Sequence, residues 1–153
     1  SLLPVDGIPT DMTTTLSLND VYKELANMQT HKTLVFLDAC FSGTGRNDQM
    51  LSQARGVSIK PKTEKPQGNM IVFSSASGDE TAFPYKEKKH GLFTYFLLKK
   101  LQATKGNVNL GELSDYVKSE VGKKSIVINS KTQTPIVSTS QEMDDKWRKI
   151  NLK

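Results

Sequence analysis

The side chain best suited to covalent chemistry occurs once in this sequence, as Cys40. It closes the segment Thr33-Leu-Val-Phe-Leu-Asp-Ala-Cys and opens a run of mostly small residues, Phe41-Ser-Gly-Thr-Gly. An apolar strand that runs straight into such a loop puts the thiol at the strand's carboxyl end, the edge where open α/β sheets bind their ligands. A thiolate there can attack a carbonyl, and the backbone N–H groups that follow can face the developing oxyanion. The other reading of a lone free thiol is a buried structural side chain. Asp38 stands two residues earlier, on the same strand face as Cys40, because strand side chains alternate with period two. Its plain alternative role is to cap the end of the strand.

A cysteine nucleophile of this kind needs a histidine to handle protons at the sulfur and the leaving amine. The sequence has two. His31 precedes Cys40 by nine residues along an extended segment, which places it roughly 25–30 Å away at the far end of the strand. His90 begins the helix that follows the next strand, near the sheet edge that carries Cys40, so a pairing within the chain is geometrically conceivable. One cysteine and two histidines exclude a disulfide framework and any multi-cysteine zinc site, and no metal or cofactor is expected.

The elements that must hold these residues follow from patterning. Ser17 with Asp20 forms a helix start, and Leu18, Val21, Tyr22, Leu25 and Met28 recur at helical spacing. Residues 33–37 and 70–73 are continuously apolar, as parallel strands covered on both faces are. The chemistry-bearing segment spans 33–43, and a long loop over 44–68, with a short helix around 49–54, reads as mobile. A strand and substrate loop follow at 70–85, then a buried helix at 91–103. Asn109 with Glu112 caps a further helix whose Leu113, Tyr116, Val117 and Val121 face the core before Gly122 ends it. A third strand is expected at 135–138, and Trp147, Ile150 and Leu152 give the tail enough apolar surface to dock.

Strands alternating with helices indicate an α/β sandwich on a mainly parallel sheet. The 153 residues suit one domain, and 36% apolar with 24% charged residues excludes the disordered and fibrous classes. Apolar runs reach only four residues, as at 34–37, against the roughly 18 that cross a bilayer. Residues 1–6 carry no secretory signal. The formal charge of +5 raises nucleic-acid binding, but the lysines fall in short mixed runs with no stacking motif, so neither nucleic acid nor membrane is an expected partner.

At Asp38-Ala-Cys-Phe-Ser-Gly the chain resembles the caspase-like cysteine peptidases, particularly their metacaspase and paracaspase branch. The resemblance continues in Ile71-Val-Phe-Ser-Ser-Ala-Ser-Gly-Asp-Glu-Thr-Ala-Phe, similar to the family's next strand and substrate loop, and in His90-Gly-Leu-Phe-Thr-Tyr-Phe-Leu-Leu, similar to the following helix. It implies a three-layer sandwich with a mainly parallel sheet, of which residues 1–153 supply the C-terminal, cysteine-bearing part. It implies Cys40 as nucleophile and Asp38 in the primary substrate pocket, pairing with a substrate Arg or Lys. Ser75, Asp79 and Glu80 fall in the matching substrate-binding loop. A carboxylate in a partly desolvated pocket favours a cation and rejects an anion. Phe41 stands where many metacaspases have a histidine that is not the catalytic one.

In the family the catalytic histidine precedes the cysteine, just upstream of a stretch similar to Ser1-Leu-Leu-Pro-Val-Asp. The expected partner is therefore a histidine-bearing N-terminal fragment of the same precursor, beside a peptide substrate with a basic residue before the scissile bond. Self-cleavage at basic residues fits this, and Arg46, Arg55, Lys60, Lys62 and Lys65 are further candidate cut sites. The alternative is a catalytically inactive interaction module with the same fold.

Overall fold

The computed structural model describes residues 6, 8, 11–28, 30–39, 65–78 and 80–153. Strands β1 (Thr33–Leu37) and β2 (Met70–Ser74) pair in parallel, in the register Leu34 to Ile71 and Phe36 to Phe73. Strand β5 (Ile136–Thr139) completes the sheet in the order β1-β2-β5 and runs antiparallel to β2. The expected parallel arrangement thus holds for the pair that carries the site, while the edge strand reverses. A short hairpin, β3 (Pro84–Tyr85) with β4 (His90–Gly91), lies between β2 and the next helix.

The alternation of side chains sends the two faces of the sheet to different helices. Val35, Leu37, Met70 and Val72 pack on helix α1 (Leu18–Asn27) through Leu18, Tyr22, Leu25 and Ala26. Leu34, Ile71, Phe73 and Val137 pack on the opposite side against α2 (Leu92–Thr104) and α3 (Leu110–Asn129). The result is three layers, helix, sheet and helices. Phe73 is the pivot of the larger core: its ring lies 5.1 Å from Phe36 and meets Trp147 edge-on at 6.1 Å. A buried ring of this size removes enough apolar surface from water to contribute ~2–3 kcal/mol.

Local signals account for the starts of α1 and α3. The Ser17 hydroxyl accepts the Asp20 N–H at 3.4 Å, and the Asn109 side chain accepts the Glu112 N–H at 2.8 Å. Helix α3 does not stop at Gly122. It runs to Asn129 and ends where Ser130 turns left-handed at φ 53°. A glycine inside a helix costs only about 1 kcal/mol, less than the packing of its neighbours returns, so it failed as a stop. The expected loop helix at 49–54 and residues 44–64 lie outside the described residues.

The tail docks as its apolar residues require. Trp147, Ile150 and Leu152 pack on the larger core. The Leu110 N–H donates to Ile150 O at 2.9 Å, and the Leu152 N–H to Val108 O at 3.2 Å.

Strand β1 differs from β2 in cover. Met70, Ile71, Val72 and Phe73 are buried, whereas every residue of β1 is at least partly exposed, Phe36 to 37%. Among the described residues β1 has a neighbour on one edge only.

Candidate active site

Parallel pairing brings the carboxyl ends of β1 and β2 side by side, and the candidate site is built there. Beyond the last paired residues, Ser75 continues the ladder by donating its N–H to Leu37 O at 2.8 Å. Its hydroxyl donates to Ala39 O at 3.3 Å. The backbone immediately before Cys40 is therefore anchored to the first residue after β2. Cys40 and Asp79 lie outside the described residues.

Asp38 extends from β1 on the face that holds Leu34 and Phe36, the side covered by α2. Its carboxylate accepts the Thr94 hydroxyl at 2.6 Å and the Thr94 N–H at 3.4 Å. Helix α2 opens with Gly91, which has no side chain to cap the first turn. Asp38 supplies from a distant strand what a local Ser or Asp usually supplies, and the negative charge sits at the positive end of the helix. The alternative role weighed for Asp38 was to cap the end of its own strand; its carboxylate instead bonds the first turn of α2. That bond also fixes the carboxylate at the carboxyl end of β1.

Ser75 is wholly buried. Its hydroxyl faces Ala39, so within this structure it shapes the rim from beneath. Glu80 was expected in the substrate-binding loop. Its carboxylate instead clasps the segment leading into β5, accepting the Thr134 N–H at 2.6 Å, the Thr134 hydroxyl at 2.9 Å and the Ser77 N–H at 3.4 Å. Burial works to raise the Glu80 pKa, but the bonds from Thr134 and Ser77 outweigh it and hold the carboxyl below its ordinary value.

Thr94, Gln133 and Thr134 are the polar partners that sequence reading missed. A helix beginning at a bare glycine was a usable signal that its cap comes from elsewhere. Gln133 and Thr134 gave none, because the partners of the Gln133 side chain and of Thr134 lie 50 to 58 residues away. His90 is exposed on β4, one residue before the Gly91 cap of α2, and His31 is exposed just before β1. Among the described residues no group of three or more His, Cys, Asp or Glu could hold a metal ion, and no helix is long and apolar enough to cross a membrane.

A family model described as the caspase domain matches residues 1–145. The chain belongs to the caspase-domain peptidases. The resemblance read from Asp38-Ala-Cys, the substrate loop and the helix after it is thereby shown, and so is the fold class. The caspase domain is a domain of cysteine peptidases, hydrolases that open peptide bonds through a thiol. No curated protein matches the chain.

Proposed function

We propose that this caspase-domain chain is the cysteine-bearing part of an endopeptidase of the metacaspase and paracaspase type, cleaving after Arg or Lys. Cys40 is the nucleophile. The observation that carries the specificity is the Asp38 carboxylate at the carboxyl end of β1, held by Thr94 at 2.6 Å. A fixed anion at that rim attracts a guanidinium or ammonium and repels a carboxylate.

The reaction runs through an acyl-enzyme. The Cys40 thiolate attacks the scissile carbonyl carbon, the carbonyl oxygen takes the negative charge, and backbone N–H groups after the strand stabilise it. Collapse breaks the C–N bond, with a histidine giving the leaving amine its proton. Water, deprotonated by the same histidine, then releases the product acid and the free thiol. That histidine comes from a separate N-terminal segment of the precursor. What supports this is β1, an apolar strand with a neighbour on one edge only among the described residues. A strand laid parallel to β1 along that edge would bring its own carboxyl end beside that of β1.

An active-site label tests the reading. A peptidyl ketone ending in Arg, applied to the assembled protein, is expected to modify Cys40 at least 30-fold faster than the same peptide ending in Asp. The modification disappears in Cys40→Ala. Equal rates for the two peptides would overturn the specificity. An unmodified Cys40 in the presence of the N-terminal segment would favour an inactive interaction module. Loss of labelling in His90→Gln would place the histidine in this chain.

A further inference from the structure

Gln133 is a polar side chain with no exposed surface at all. It sits between α3 and β5, outside every segment the sequence marked as functional. A primary amide in that position must satisfy both its donor and its acceptor inside the protein. Its Nε2 donates to Ser75 O at 2.8 Å, and its Oε1 accepts the Phe83 N–H at 2.9 Å. Its own N–H donates to the Ser125 hydroxyl of α3 at 3.0 Å. One amide therefore bridges the two ends of the segment 75–83. Ser75 is the same residue that holds Leu37 O and Ala39 O, so the bridge continues to the backbone next to Cys40.

We propose that Gln133 is a positioning residue for the peptidase: it presets the separation between the Cys40 strand end and the substrate loop, so that an extended peptide meets a cleft already shaped. This rests on the peptidase reading above. The chemistry singles out an amide. A carboxylate would set oxygen against the Ser75 carbonyl, and a hydrocarbon of the same length would leave the Ser75 oxygen and the Phe83 N–H without partners. Glu80 clasps the same loop next door, yet its bonds go to Ser77 and Thr134 and leave the Ser75 end untouched. Preorganisation of this kind acts on recognition of a long substrate and not on the thiol itself.

The test compares two reagents on Cys40 of the assembled protein, the Arg-terminated peptidyl ketone and iodoacetamide, which needs no cleft. In Gln133→Glu the ratio of the two rates is expected to fall at least 10-fold at pH 8.5 and to return to within threefold of the parent at pH 5.5. Burial raises the pKa of the introduced carboxyl, and once protonated it can again donate to Ser75 O. In Gln133→Met the ratio is expected to stay low at both pH values. Ser125→Ala, a milder change that removes the acceptor of the Gln133 N–H together with the hydroxyl's own bond to Gly122 O at 2.9 Å, is expected to lower it two- to fivefold. Near-UV circular dichroism at each pH restricts the comparison to folded protein. Parent-like ratios in all three variants would overturn the inference alone. A parent protein that iodoacetamide modifies but the peptidyl ketone does not would overturn the peptidase reading, and the inference with it.

Discussion

The Thr94 hydroxyl donates to the Asp38 carboxylate at 2.6 Å, joining the end of β1 to the first turn of α2 across 56 residues of sequence. The bond gives one side chain two tasks. It caps a helix that begins without a cap of its own, and it orients a negative charge at the rim of the proposed substrate cleft.

The two tasks separate by mutation. Thr94→Val removes the hydroxyl and leaves the charge; it is expected to cost about 1–2 kcal/mol in urea unfolding while keeping the preference for Arg-terminated over Asp-terminated reagents. Asp38→Asn keeps a hydrogen-bond acceptor and removes the charge, and is expected to erase that preference. If Thr94→Val also erases it, orientation outweighs charge at this rim.

The Glu80 clasp predicts an acid-sensitive contribution to stability. Its folded pKa lies below the ordinary 4.5, so the folded state binds the proton less readily than the unfolded one. The stabilisation is complete above pH 4.5 and drains away as pH falls through the folded value. Melting temperatures of the parent and Glu80→Gln should therefore differ at pH 7 and converge as pH falls below 4.5 and through the folded value. Parallel curves across that range would show that the Thr134 and Ser77 bonds carry no charge-dependent stability.

Two glycines of α3 should respond to alanine with opposite sign. A Cβ at Gly111 would stand 2.9 Å from the Arg148 carbonyl oxygen, a backbone atom of the docked tail. Gly111→Ala should lower the melting temperature despite its better helix propensity. At Gly122 nothing lies within 4 Å of the added atom, so Gly122→Ala should stabilise by about 0.5–1 kcal/mol. Calorimetry on the two variants is sufficient, and a stabilising Gly111→Ala would refute the close approach.

Phe73 should be the costliest single truncation in the core. It is 2% exposed and holds Phe36 on one side and Trp147 on the other, so Phe73→Ala is expected to lose ~3–5 kcal/mol. Trp147 is the one tryptophan in the sequence, and its fluorescence should shift to the red in the same variant. An unmoved emission spectrum would mean the indole does not depend on that ring.

What could be read from the sequence was what neighbouring residues determine. Strand β1 at Thr33–Leu37 and the caps at Ser17 and Asn109 depend on apolar runs and on side chains three residues apart. The resemblance at Asp38-Ala-Cys worked for the same reason. The direction of β5 was not legible, since antiparallel pairing is chosen by the connection from α3 and not by the strand's own residues. The end of α3 was misread because Gly122 costs the helix too little to stop it. The supports of the site escaped for a different reason. Asp38 with Thr94, Glu80 with Thr134 and Gln133 with Ser75 are each one weak local preference on either side, and they become a pattern only after the layers have packed.

The family match stops at residue 145, whereas Trp147, Ile150 and Leu152 lie past it and still wedge into the main core. Homology and mechanical integrity thus end at different places along the chain. Trimming to the homologous stretch would pull the keystone from under Phe73 and unhook the first turn of α3, so expression designs and affinity handles should leave residues 146–153 in place.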